Sequence, residues 1–148
     1  MSSQMMENTY DNRHSTFGIV FTQSIGVVSW YSKKQPVVAL STAEAEYISL
    51  SAATQETIWH KRLLKNLSCS TTKDPTIITE DNRGAIAIAK NPVYHSQTKH
   101  VDIKYHYIRE AIQDKAIQLE YFPTKEMLAD ILTKQLAREK FEKLRKKM

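Results

Sequence analysis

"TIITEDNRGAIAIAK", residues 76–90, passes without a break from a strand into a helix. "TIIT" is a short apolar, β-branched run, and "EDNRGAIAIAK" turns directly from it into helical periodicity that Pro92 ends. A strand feeding a helix is the building unit of α/β folds, and ligands of such sheets gather beyond the carboxyl ends of the strands. Asp81 stands at that place. Taken singly it reads as a helix N-cap, a role Asp favours. A second role requires partner acids elsewhere in the chain.

Working outward, "STFGIVFT" (15–22) and "GVVSWYS" (26–32) are β-branched and aromatic runs that predict an antiparallel hairpin. "KKQPV" links it to a helix starting at Ser41 and carrying its apolar pattern through Trp59 to Leu67. "SCSTTKDP" (68–75) is a polar loop. Beyond Pro92, "HSQTKHVDIKYHYIREAIQ" reads as a loop and then a helix with Val101, Ile103, Tyr105, Ile108 and Ile112 as apolar positions. "IQLEYFP" (117–123) alternates as a strand. "KEMLADILTK" and "REKFEKLRKKM" are helical, with a break near Gln135. The order is β-β-α-β-α-α-β-α, a hairpin feeding a mixed sheet flanked by helices. "MSSQMMENTYDNRH" is polar and patternless, so residues 1–10 are expected to be disordered and 11–148 to form one domain.

Two more acids lie on elements that could pack against Asp81. In "STAEAEYISL" (41–50), Ser41 and Glu44 form an S-x-x-E capping box, which gives Glu44 a structural task. Glu46 lies about 200° further round the helix, so the two carboxylates cannot share an ion. Ala43, Tyr47, Leu50, Thr54 and Ile58 form the apolar stripe, and Glu46 borders it near Ala53 and Leu64. Asp130, in "LADILTK", is flanked by Ala129 and Ile131. Each alone could be a rim or surface acid. Together, Glu46, Asp81 and Asp130 on three elements could converge on Mg²⁺, which takes hard oxygen ligands and keeps several waters. Two such ions about 3.5–4 Å apart can activate water and stabilise the leaving oxygen of a phosphodiester.

Composition is compatible with that chemistry. The chain has 148 residues, 41% hydrophobic and 25% charged, which suits a single domain with a real core. Cys69 is the only cysteine, which excludes an internal disulfide framework and a cysteine-cluster zinc site, and fits a reducing, cytoplasmic setting. No apolar run is long enough for a membrane span and no cleavable signal pattern is present. The net charge is +5, with much of the surplus in "REKFEKLRKKM", a balance that suits polyanionic partners.

Three blocks carry a resemblance: "VVSWYSKKQPVVALSTAEAEYISL", "EDNRGAIAIAKNPVYHSQTKHVDIKYHYIRE" and "LEYFPTKEMLADILTK". From about Asp11 to about Leu144 the chain resembles the ribonuclease H domain at the end of copia-type retrotransposon Pol polyproteins. The resemblance implies an RNase H-like fold and two-Mg²⁺ cleavage of the RNA strand of RNA–DNA hybrids, beside the reverse transcriptase portion of the polyprotein, in the cytoplasm, a virus-like particle or the nucleus. Glu46 matches the family's helix glutamate, Asp81 the acid after its fourth strand, and Asp130 the acid of its last helix. By this match Glu44 caps while Glu46 binds metal.

One part of the family pattern is absent. Its first strand bears S-D-x-D-W-A, whose aspartate touches both metals, and it lies mid-sheet between the hairpin and "TIIT". "DNRHSTFG" resembles the D-R-x-S-T-S-G segment that follows, so the chain is expected to lack the first strand. At most weak binding of a single ion and little activity are then expected. The alternatives are a catalytically dead fragment that only binds nucleic acid, and a protein-interaction domain whose acids are structural. His95, His100 and His106 lack the same-face spacing of a zinc site. Lys33, Lys34, His95, Lys99, His100 and Lys104 are the candidate nucleic-acid contacts, with Asp102 a local charge partner. Trp30 and Trp59 are expected in the core.

Overall fold

A computed structural model describes residues 2–4, 14–23, 26–67, 74–91 and 99–148. Its strands are β1 (Ser2–Gln4), β2 (Thr16–Gln23), β3 (Gly26–Lys34), β4 (Thr76–Glu80) and β5 (Ile117–Tyr121). Its helices are α1 (Thr42–Asn66), α2 (Arg83–Lys90), α3 (Lys99–Gln113), α4 (Asp130–Thr133) and α5 (Arg138–Arg145), with a 3-10 turn at Thr124–Glu126. The five strands form one mixed sheet in the order β3-β2-β1-β4-β5. This is the expected mixed α/β class, consistent with an RNase H-like fold.

Strand alternation sorts the side chains into two layers. Phe17, Ile19 and Phe21 of β2 join Ile78 of β4 and Ile117 and Leu119 of β5 beneath α1–α3, where Tyr47, Leu50, Ala53, Ala89, Ile108 and Ala111 complete the main core. The intervening Val20 faces the other way, onto Met127 and Ala129 beside α4. α1 is buried from Ala45 through Leu50 without interruption, so it is a central helix enclosed on more than its apolar stripe. That enclosure takes Glu46 from the border of the stripe to complete burial.

The chain leaves no gap in the sheet, which corrects the expected missing strand. β1 pairs antiparallel with β2 (Ser2↔Val20, Ser3↔Ile19, Gln4↔Gly18) and parallel with β4 (Ser2↔Thr79). Any short segment can fill that position because the pairing uses main-chain groups, and an empty slot would strand the N–H and C=O groups of both neighbours. β1 supplies no carboxylate, its residues being Ser2, Ser3 and Gln4.

Four further expectations are revised. Trp30 is 64% exposed because β3 is an edge strand that α4 covers only near Ser32, whose hydroxyl donates to Leu132 O at 3.1 Å. Trp59 is 54% exposed on the outer side of α1, edge-on to the His60 ring at 4.9 Å. Ile103 is 72% exposed, since the buried stripe of α3 runs through Ile108 and Ala111, and five residues of helix turn Ile103 away from Ile108. "KEMLADILTK" is a 3-10 turn followed by a single-turn α4, so Asp130 opens a helix and does not sit inside one; the chain breaks between Lys134 and Ala137 as expected near Gln135.

Gly18 sets the distance between β2 and α4. A Cβ there would lie 2.9 Å from both Leu132 Cβ and Thr133 Cγ2, and 3.2 Å from Ala129 O. Gly18→Ala is therefore expected to force α4 outward and cost about 1–3 kcal/mol, the usual range for overpacking. A urea titration that finds the midpoint unmoved would show that α4 yields freely.

Candidate metal centre

Glu80 is the last residue of β4 and shares a face with Ile78, two positions earlier; both are completely buried beneath α1. Asp81 follows at the strand's carboxyl end, half-buried. Glu46 comes down from the second turn of α1. One carboxylate oxygen from each of Glu46, Glu80 and Asp81 lies within 4.8 Å of the others. Among the described residues this is the group able to offer three metal ligands.

The polar partners around the trio divide the labour. Asn82, not Asp81, caps α2: its Oδ1 accepts from Ala85 N at 3.1 Å. Asn82 N in turn donates to Glu80 Oε1 at 3.1 Å. At the start of α1, Ser41 Oγ accepts from Glu44 N at 3.1 Å, and Glu44 Oε2 accepts from Leu40 N at 2.7 Å. Glu44 thus closes the helix start as expected, though it reaches one residue beyond the N-cap. Glu46 differs from all of these. Neither of its carboxylate oxygens has a hydrogen-bond partner, although the residue is fully buried.

A buried carboxylate without partners is costly as an anion, and the chain answers by keeping it protonated. Burial pushes the Glu46 carboxyl up to about 9, and the negative charges of Glu80, Asp81 and Asp130 add to the rise against the pull of Lys134. Asp130 is therefore close enough to be felt, but its carboxylate is otherwise engaged. Lys134 Nζ lies 2.9 Å from Oδ1 and Lys140 Nζ 2.5 Å from Oδ2 of the fully buried Asp130.

The structure thus brings Glu46 and Asp81 together and sets Asp130 beside them, tied to two lysines. Glu80 was missed by the sequence reading. Its signal was available: in "TIITE", Ile78 and Glu80 share one strand face, so an apolar Ile78 implies an inward Glu80. Of the basic candidates, Lys33 and Lys34 are exposed at the end of β3. Lys104 is half-buried; burial lowers its pKa while Glu44 opposes that shift, and Tyr47 Oη donates to its carbonyl at 3.4 Å. Lys99 and His100 lie in the first turn of α3, but their side chains, like all of His95, fall outside the described residues.

Comparison with known proteins adds to this geometry. No family model matches the chain. It is 44% identical over 137 residues to the retrovirus-related Pol polyprotein from transposon TNT 1-94 of Nicotiana tabacum, an alignment covering 93% of this chain and 10% of that protein. Homologues that align over most of the chain are retrovirus-related Pol polyproteins from plant copia-type transposons. Those from transposons RE1 and RE2 of Arabidopsis thaliana are 39% and 38% identical over 138 residues, 93% of this chain and 9% of each relative. The chain spans about a tenth of the length of these curated relatives. Among the described residues no helix is long and apolar enough to cross a membrane.

Proposed function

We propose that the chain is the ribonuclease H region of a copia-like retrotransposon Pol polyprotein, binding Mg²⁺ at its acid cluster and RNA–DNA hybrid across its basic surface. The observation that carries this is Glu46: a fully buried, unpartnered carboxylate close to two more acids at a strand end. An interaction domain with purely structural acids gives no reason for keeping such a group, whose burial lowers stability. The residues fit a hard divalent cation, which would accept the oxygens that nothing else satisfies.

Bound Mg²⁺ would supply polarisation of the phosphate and activation of a water. Glu80 and Asp81 supply negative charge that would hold it, Glu46 adds its own on losing its proton to the ion, and the half-buried Asp81 leaves room for a backbone phosphate to approach. Hydrolysis by this chain is limited by what β1 lacks. A second ion beside the first would bring the charge to four positive units, and β1 carries no carboxylate to offset the repulsion. The domain therefore binds hybrid more readily than it cuts it. The reverse transcriptase portion of the polyprotein, within the cell, would be its partner.

Phosphate contacts from Lys33 and Lys34 make binding strongly dependent on salt. Affinity for an RNA–DNA hybrid is expected to fall steeply between low and physiological salt in an electrophoretic or anisotropy titration. Lys33→Ala/Lys34→Ala should reduce the slope of log K against log salt by about 1–2. Absence of binding at low salt, or binding indifferent to salt, would count against the proposal.

A further inference from the structure

We infer that Glu80 is a cation ligand, and that Glu46, Glu80 and Asp81 together hold a single hard divalent ion positioned by β4 and α1 rather than by the last helices. The inference deepens the proposed function and rests on it. The resemblance gives Glu80 no role, and it assigns the third carboxylate to Asp130.

Distances support the trio. An octahedral ion with ligands at 2.0–2.1 Å places adjacent oxygens about 2.9 Å apart and opposite ones about 4.2 Å apart. The three oxygens here lie within 4.8 Å of one another, so side-chain rotation that draws them inward would bring them onto one ion. Glu46 points to a ligand independently of the clustering, since both its oxygens are buried with no hydrogen-bond partner. Glu80 is oriented the way ligating carboxylates commonly are, with one oxygen accepting from the Asn82 backbone N–H at 3.1 Å. Strand pairing fixes its backbone too, because Phe122 N donates to Glu80 O at 2.9 Å. Asp130 is the poorer third ligand. Joining the ion would require it to give up Lys134 and Lys140, one on each oxygen.

Glu80 also supplies charge next to a strand that carries none. β1 lies directly beside β4 and carries Ser2, Ser3 and Gln4, so among the described residues the carboxylate on this part of the sheet is at the end of β4. An ion held there is one ion, not a pair. Three carboxylates suffice for it, and the rest of its shell is water.

The test is a titration of the full chain with Mn²⁺, following the free ion by electron paramagnetic resonance, with the cation-induced rise in melting temperature as a second readout. The wild type is expected to bind one Mn²⁺. Glu80→Gln should weaken binding by about 10-fold or more and shrink the thermal rise, whereas Asp130→Asn should change affinity by less than about 3-fold. Glu80→Asp keeps the charge but withdraws the carboxylate, and should also weaken binding, which a merely structural glutamate would not produce. Unchanged affinity in both Glu80 variants, with Glu46→Gln still weakened, would overturn this inference and leave the proposed site standing. An Asp130→Asn loss as large as that of Glu80→Gln would overturn it as well, by moving the ion toward the last helices. No Mn²⁺ binding by the wild type would defeat both this inference and the cation site beneath it.

Discussion

In a metal chelator, the urea midpoint of this chain should fall steadily between pH 5 and pH 9, and Glu46→Gln should flatten the profile. Glu46 titrates near 4.5 in the unfolded chain and at about 9 in the folded one. Below 4.5 both states hold the proton, and its stabilising contribution is fully present. Between 4.5 and about 9 the folded state holds one proton more than the unfolded state, so each unit of rising pH destabilises the fold by about 1.4 kcal/mol from this group alone. Above about 9 the effect is exhausted. Gln has nearly the shape of the protonated acid and cannot ionise, so the variant should match the wild type near pH 5 and exceed it increasingly toward pH 9. A wild-type profile as flat as that of Glu46→Gln would mean that the carboxylate is solvated or paired after all.

If the proposed function holds, Ser3→Asp should raise Mg²⁺-dependent cleavage of RNA–DNA hybrids by this chain. Position 3 is the register partner of Ile19, whose side chain lies in the core beneath α1, on the same side as Glu46, Ile78 and Glu80. Directly opposed residues of paired strands share a face, so an acid introduced there faces the cluster. It adds negative charge beside the proposed cation site, on a strand that carries no carboxylate of its own. A gain on the order of 10²-fold is reasonable, the size associated with one well-placed electrostatic group. Single-turnover cleavage of a labelled hybrid is the measurement, with Ser3→Asp/Asp81→Asn as the control that should lose the gain. If the wild type already cuts robustly, the absent acid is immaterial. If Ser3→Asp binds the ion but remains silent, its absence is not what limits catalysis.

Much of this architecture was legible because periodicity and punctuation agreed. Pro92, the Ser41–Glu44 cap and the β-branched hairpin marked elements that the structure contains, and the junction after "TIIT" placed Asp81 correctly. What escaped has physical causes. β1 is held by main-chain pairing at three residues, which needs no apolar pattern and so leaves none in the sequence. Glu80 was passed over because its neighbour Asp81 already occupied the junction, although strand alternation pointed it inward. Helical wheels place a residue on a face but do not say how many faces are covered, so Glu46 read as a rim position when α1 is enclosed. The engagement of Asp130 by Lys140, ten residues away, depends on how α5 returns beside α4, and local pattern carries no information about that return.

The place of β1 in the sheet also bears on the order in which the molecule assembles. β2 and β3 are neighbours in sequence and form a hairpin, while β4 and β5 are joined through α2 and α3; each half can begin from contacts of short or moderate span. The seam between the halves is different. Ser2 meets Thr79 across 77 intervening bonds of chain, a closure that is slow to find and yields few pairings. The two halves should therefore form first and the seam should shut last. In the native state it should also be the first part to open, so the amides along the β1-facing edges of β2 and β4 should exchange with solvent sooner than those between β2 and β3 or between β4 and β5.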